Sequence, residues 1–271
     1  MGSTSMHYES YYFGEPWLTD RKPLLLQHGF GRSSKFWYEW IPTLAVVRPT
    51  FVPDLPGMGK SAPSQTTKNF EGMVESLVRL LDQLDVESVH YCGESIGGIL
   101  GTMLAAEHPA RVTSLTLVST PTRLTERGRA AVSFGYEDQV AAVSELGGAK
   151  WSELYNESRF GATGTADLKK WYAQEMGRSD HATLVSMAGE LAKADLGPYL
   201  QRVNCPSLVI SASGSPVADD SERNRLVELL RPSREIVLNS AGHNVVNVLA
   251  QRCTEELLRF VDDVDHHGLK P

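Results

Sequence analysis

Two spacings of apolar residues alternate along this chain. Short, largely apolar runs fall at residues 23–27, 50–52, 88–92, 112–118, 207–211 and 235–238. Runs of that length predict strands buried on both faces, as in a parallel sheet. Residues 6–13 alternate and are rich in aromatics, which predicts an edge strand. Between the runs the spacing changes to three and four. Phe70, Met73, Val74, Leu77, Leu80, Leu81 and Leu84 make one stripe, and Ile96, Ile99, Leu100, Met103 and Leu104 another. Each stripe predicts an amphipathic helix. Residues 33–45, 220–230 and 245–262 read as further helices. The alternation predicts an α/β fold: a mostly parallel, doubly wound sheet with helices on both faces and right-handed crossovers. Ligands of such a sheet bind beyond the carboxyl ends of its strands.

The middle of the chain departs from this rhythm. From about residue 121 to 198 no β-branched runs occur, and helices are predicted at 127–134, 136–146, 166–176 and 180–194. Gly147-Gly148 and a glycine-containing stretch at 161–164 separate them. The region reads as a helical insertion in an α/β core made of residues 1–120 and 199–271.

Composition narrows the function classes. A chain of 271 residues, 41% hydrophobic, supports a single large core. Its formal charge is −7 with no cluster of Lys or Arg, which argues against nucleic acid. No run is long enough to cross a bilayer, and residues 1–5 lack a signal-peptide profile. Cys92, Cys205 and Cys253 are odd in number and far apart in apolar runs, which predicts free thiols in a reducing compartment. No metal-ligand spacing is present, and His266-His267 reads as a solvated tail. The expectation is a cytoplasmic protein acting on a small molecule, with no cofactor, no metal, no nucleic acid and no membrane partner. A homo-oligomer is left open.

The chemistry concentrates at Gly93-Glu94-Ser95-Ile96-Gly97, where a strand pattern meets a helical one. A sharp strand-to-helix turn needs glycines on either side and presents the central hydroxyl clear of the sheet. The helix N-terminus also aims its amides and positive dipole end at the chemistry. Ser95 is therefore the candidate nucleophile. A serine needs a base, and His243, after the last predicted strand, is the candidate. The Ile96 amide and the Phe30 amide, the latter between Gly29 and Gly31, are the candidate oxyanion donors; such a donor contributes roughly 3 kcal/mol. His28 and Asp54 read as structural residues of loops that border the site.

These motifs together resemble the α/β-hydrolase family, in its order and over nearly the whole chain. They are His28-Gly29-Phe30-Gly31, residues 54–61, the serine turn and Gly242-His243. The length and the insertion are most similar to the 3-oxoadipate enol-lactonase and small carboxylesterase branch. That resemblance implies an insertion acting as a cap, with Trp151, Trp171, Met176 and Met187 as candidates for the acyl pocket or for packing between cap helices. It also implies an aspartate after the strand that follows the insertion, where this chain has Ser215. The alternative family position falls on Ser119 and Thr120. The nearest carboxylates in sequence are Asp219, Asp220 and Glu126. Asp219 is the candidate acid, set against Asp219 and Asp220 as a helix N-cap pair and against a neutral partner, the Ser215 hydroxyl or a backbone carbonyl, orienting the imidazole.

Three readings of function follow. The first is a serine hydrolase cleaving a carboxylic ester or lactone through an acyl-serine. The second is a lyase, cyclase or C–C-cleaving enzyme of the same fold, using His243 and the oxyanion hole without a full triad. The third is a binding protein with an inert pocket.

Overall fold

The computed structural model describes residues 6–17, 20–64, 68–231 and 234–269. Residues 1–5, on which the signal-peptide reading rested, lie outside them. Among the described residues seven strands form one sheet in the order β1-β3-β2-β4-β5-β6-β7. They are β1 Tyr8–Tyr11, β2 Leu24–Gln27, β3 Thr50–Pro53, β4 Val89–Glu94, β5 Val112–Val118, β6 Ser207–Ala212 and β7 Arg234–Leu238. Only β1 runs antiparallel, at the edge beside β3; the other pairs are parallel.

Period-two alternation divides the core between the two faces of the sheet. Leu25 and Tyr91 point to the side of α2 (Phe70–Gln83) and α3 (Ile96–Glu107). Leu24, Leu26 and Cys92 point to the side of α11 (Ala250–His267). The predicted helix at 33–45 is instead two pieces, a 3-10 turn Ser34–Trp37 and α1 Ile41–Leu44. Pro42 lacks an amide hydrogen and its ring collides with the carbonyl four residues back, so one helix cannot run through it. The terminal helix is likewise broken at Leu249, after α10 Val245–Val248, and reaches His267. His266 and His267 sit solvated in its last turn, paired with Asp262 and Asp263.

Four helices occupy the insertion: α4 Glu126–Ser133, α5 Gln139–Phe160, α6 Ala166–Met176 and α7 His181–Lys193. Thr125, Asp138, Thr165 and Asp180 start them, each accepting an amide hydrogen bond three residues on. Within α5, Gly147 takes φ 67° and ψ 170°, outside the helical region, so two helical stretches meet at a break there, as the glycine pair predicts. The second stretch, running to Phe160, is not among the predicted helices. Below the insertion, α8 (Gly197–Leu200) leads into β6, and α9 (Asp220–Leu230) joins β6 to β7.

Three glycines of the core loops mark where the insertion docks. A side chain at Gly31 would meet Met176 and Leu184, one at Gly57 Thr183, and one at Gly242 the Arg159 carbonyl. The Asp180 amide donates to Gly57 O at 2.7 Å, and the Ser179 hydroxyl to Gly31 O at 3.1 Å. Among the described residues no helix is long and apolar enough to cross a membrane.

Candidate active site

Ser95 sits where β4 turns into α3, at φ 54° and ψ −117°. A non-glycine residue there carries about 1–3 kcal/mol of strain, so its surroundings must impose it. The Ser95 amide donates to Val118 O on β5 at 2.9 Å, and the Ser95 carbonyl accepts from Gly98 and Ile99. A side chain at Gly93 would strike the Gly97 backbone, and one at Gly97 the Gln27 and His28 carbonyls. Both glycines of the motif are thus required by close backbone approach, as the spacing predicts.

His243 is reached through the far end of the sheet. The loops after β6 and β7 are tied by Ser213 N–H to Leu238 O at 3.0 Å and Gly214 N–H to Ser240 O at 2.8 Å. This places Ser215 Oγ 2.8 Å from His243 Nδ1. Ser215 Oγ also accepts from the Ala218 amide at 3.0 Å. The partner of His243 Nδ1 is therefore a hydroxyl. Asp219, the acid expected from sequence, does not fill that role. Its carboxylate caps α9, accepting from the Ser221 amide and hydroxyl and the Glu222 amide. A helix N-terminus leaves amides that a side-chain acceptor must satisfy, and this demand holds Asp219. Asp220 pairs with Arg223, and Glu126 is exposed in the first turn of α4.

The carboxylate that does enter the site is Glu94, directly before Ser95. It is fully buried, with Arg32 Nη2 donating to Oε1 at 2.8 Å and Nη1 2.8 Å from Oε2. Its Oε1 lies 3.7 Å from His243 Nε2. Burial pushes the Glu94 carboxyl up, against the pull of Arg32. A second buried guanidinium, Arg159, comes from the last turn of α5. It arrives beside His243 because the His243 and Asn244 amides donate to Ser158 O and Arg159 O, at 3.1 and 2.9 Å. Burial, with Arg32 and Arg159 nearby, holds the His243 imidazole down at about 3, so the ring is neutral at ordinary pH. Sequence reasoning missed Glu94, Arg32 and Arg159. Glu94 was legible as a charge inside an apolar strand; Arg159 belongs to the half of α5 that the glycine pair concealed.

Ser95 and His243 line one cavity of about 30 Å³, walled by Phe30, Leu124, Trp151 and Tyr155 among others. That volume holds about two waters. No hydrogen bond joins the Ser95 hydroxyl to the His243 imidazole, although both side chains line this cavity. The Ile96 amide, first in α3, has no acceptor one turn back. Its companion Phe30 lies in the same wall. His28 bridges this loop to the next, with Nδ1 donating to Gly29 O at 2.9 Å and Nε2 accepting from the Leu55 amide at 3.0 Å. Asp54 accepts from the Ser34 and Lys60 amides and closes its own loop. Of the four insertion residues weighed for the pocket, Trp151 lines the cavity. Met176 packs against Gly31 and Arg159, and Met187 is in the core. Trp171 faces a separate outer groove of about 860 Å³ that contains neither Ser95 nor His243. Size alone would direct attention to that groove; the strained serine and the histidine meet in the small cavity instead.

A sequence model of the α/β-hydrolase fold matches residues 22–246. The chain belongs to that family. It is similar to 3-oxoadipate enol-lactonase 2 of Acinetobacter baylyi, 22% identical over 82% of each chain. It also matches the dihydrolipoyllysine-residue acetyltransferase component of an acetoin cleaving system from Pseudomonas putida, 38% identical over 36% of this chain. That match spans about a quarter of the relative's length, 26%. Among solved structures, the enol-lactonase of Burkholderia xenovorans LB400 superposes with a TM-score of 0.79 at 21% identity, covering 94% of this chain and 96% of that one. The family match and the full-length relatives support a hydrolase.

Proposed function

We propose that the protein is a serine hydrolase that cleaves a small carboxylic ester or lactone through an acyl-Ser95 intermediate. The observation that carries this reading is the Ser95 backbone, held strained at a strand-to-helix turn inside a cavity that His243 also lines. In the reaction, His243 Nε2 takes the Ser95 proton as Oγ bonds to the acyl carbon. The Phe30 and Ile96 amides stabilise the oxyanion. Collapse of that intermediate breaks the bond to the alcohol, which leaves with the proton from Nε2. Water then repeats the sequence, releasing the acid and restoring Ser95. The helical insertion acts as a cap, and it must move to admit a substrate larger than two waters. The similarity to enol-lactonases supports an ester-like bond, and the three free cysteines support a cytoplasmic setting.

Ser215 sets the speed of this reaction. A hydroxyl orients the imidazole but carries no charge to stabilise imidazolium, and it serves either tautomer. In the serine-protease template, exchanging the acid for its amide costs about 10⁴ in turnover. The test is covalent labelling. A fluorophosphonate should modify Ser95, and Ser95→Ala should lose both labelling and p-nitrophenyl acetate cleavage. Cleavage that persists in Ser95→Ala rejects the reading.

A second reading has its own observation. With a hydroxyl at Nδ1 and Glu94 near Nε2, His243 also suits acid–base work in C–C cleavage or cyclisation. A reaction that Ser95→Ala tolerates and His243→Ala does not would favour it.

A further inference from the structure

The charge in the cavity wall does not balance. Arg32 has its counter-ion in Glu94. Arg159, 1% exposed, has none: among the described residues no carboxylate lies within ion-pair distance of it. Its Nη1 is satisfied by Ser152 Oγ at 2.9 Å, Asn156 Oδ1 at 2.7 Å and Ser152 O at 3.4 Å. The other edge is nearly bare. Among the described residues Nη2 meets only the Met176 sulfur at 3.2 Å, a weak acceptor, and Nε is buried with no partner. The Tyr155 and Tyr172 rings lie under the guanidinium, 5.0 and 4.9 Å from its carbon. They support the plane of the group but cannot neutralise it. Burial and the Arg32 charge draw Arg159 down to about 10, which leaves it cationic at neutral pH.

A buried cation without an anion is costly, and the Nε–Nη2 edge offers two parallel N–H bonds spaced for a carboxylate. We propose that Arg159 is a carboxylate-binding residue and that the substrates are small esters or lactones that carry a second, ionised carboxyl group. The proposal deepens the serine-hydrolase reading and rests on it for the reacting bond. Gln139 Oε1, in the same wall and also buried without a partner, is left to accept from a donor on the ligand. The Met176 side chain yields as the anion docks, because a thioether is flexible and loses only a weak contact.

The test separates binding from chemistry. Calorimetry on Ser95→Ala compares monomethyl succinate, an anion, with dimethyl succinate, its neutral analogue. The monoanion should bind at least about tenfold more tightly, as charge-assisted hydrogen bonds allow. Ser95→Ala/Arg159→Gln should lose that preference, and Ser95→Ala/Arg159→Lys should keep part of it. Equal binding of the two probes, no binding of the monoanion, or a preference that survives Arg159→Gln in a folded protein overturns the proposal. The kinetic arm compares mono-4-nitrophenyl succinate with 4-nitrophenyl butyrate. Wild-type kcat/KM should favour the anionic ester, and Arg159→Gln should remove the preference through KM. Anion binding without cleavage of either ester would leave the carboxylate site standing and remove the hydrolase reading. Cleavage without anion preference would do the reverse.

Discussion

In the proposed reaction, the side chain that bears most directly on His243 is Ser215. Its Oγ accepts from the Ala218 amide and meets Nδ1 at 2.8 Å. A carboxylate there would enforce the Nδ1–H tautomer and stabilise the charged ring. Ser215→Asp should therefore raise kcat for p-nitrophenyl acetate by about tenfold or more, a fraction of the 10⁴ that the template assigns to the charge. Stopped-flow or steady-state kinetics on the folded variant decides it, and unchanged kcat would mean that the imidazole is not the base. Asp219→Ala makes the contrast. It removes a helix cap and should cost about 1 kcal/mol of stability, while kcat changes little. The His243 imidazole is held near 3, so kcat/KM should keep its plateau down to pH 5. An ordinary histidine base would lose half its activity near pH 6.5.

At the scale of elements, α5 is the part that builds the pocket. Its second half, after Gly147, brings Trp151, Tyr155 and Arg159 into the cavity wall beside Ser95, and Trp151 Nε1 donates to Val132 O on α4 at 3.0 Å. Gly147 holds φ 67° and ψ 170° with open space around it. That backbone region is essentially reserved for glycine. Gly147→Ala meets no steric contact, so its cost is conformational, about 1–3 kcal/mol. Urea unfolding should show that loss, and the p-nitrophenyl acetate cleavage expected of the proposed reaction should fall with it as the second half of α5 re-aims. An activity loss without a stability loss would mean that the kink is not strained. The helices of the insertion were legible because their caps and stripes are local. The stretch of α5 beyond Gly147 was not: the glycine pair marks the break, but nothing local says that a helix resumes after it.

At the scale of the whole molecule, three histidines are buried and neutral. His28 and His90 are each drawn down to about 4, and His243 to about 3, burial being the first cause in every case. Unfolded, each would take up a proton near 6.5. The unfolded chain therefore binds more protons in acid than the folded one. Stability is full above pH 6.5 and is lost as the pH falls toward 4. Each histidine contributes up to about 1.4 kcal/mol per pH unit in that window. Urea unfolding at pH 7, 6 and 5 should show a steep decline, and His90→Gln should flatten it by about a third.

The chain's own pattern determined the sheet, its flanking helices and the strained turn at Ser95, because these follow from near-neighbour sterics and from the period of apolar residues. The motif spacing placed Ser95 and His243 at loops of the same sheet edge, and the cavity they share is the geometric consequence of that topology. Tertiary structure alone decided what the imidazole touches and what charge surrounds it. Ser215 meets His243 from 28 positions away, Arg32 meets Glu94 from 62, and Arg159 reaches the His243 loop through backbone bonds. Which polar groups share a buried, low-dielectric space is a property of the packed molecule, and no local rule of sequence carries it.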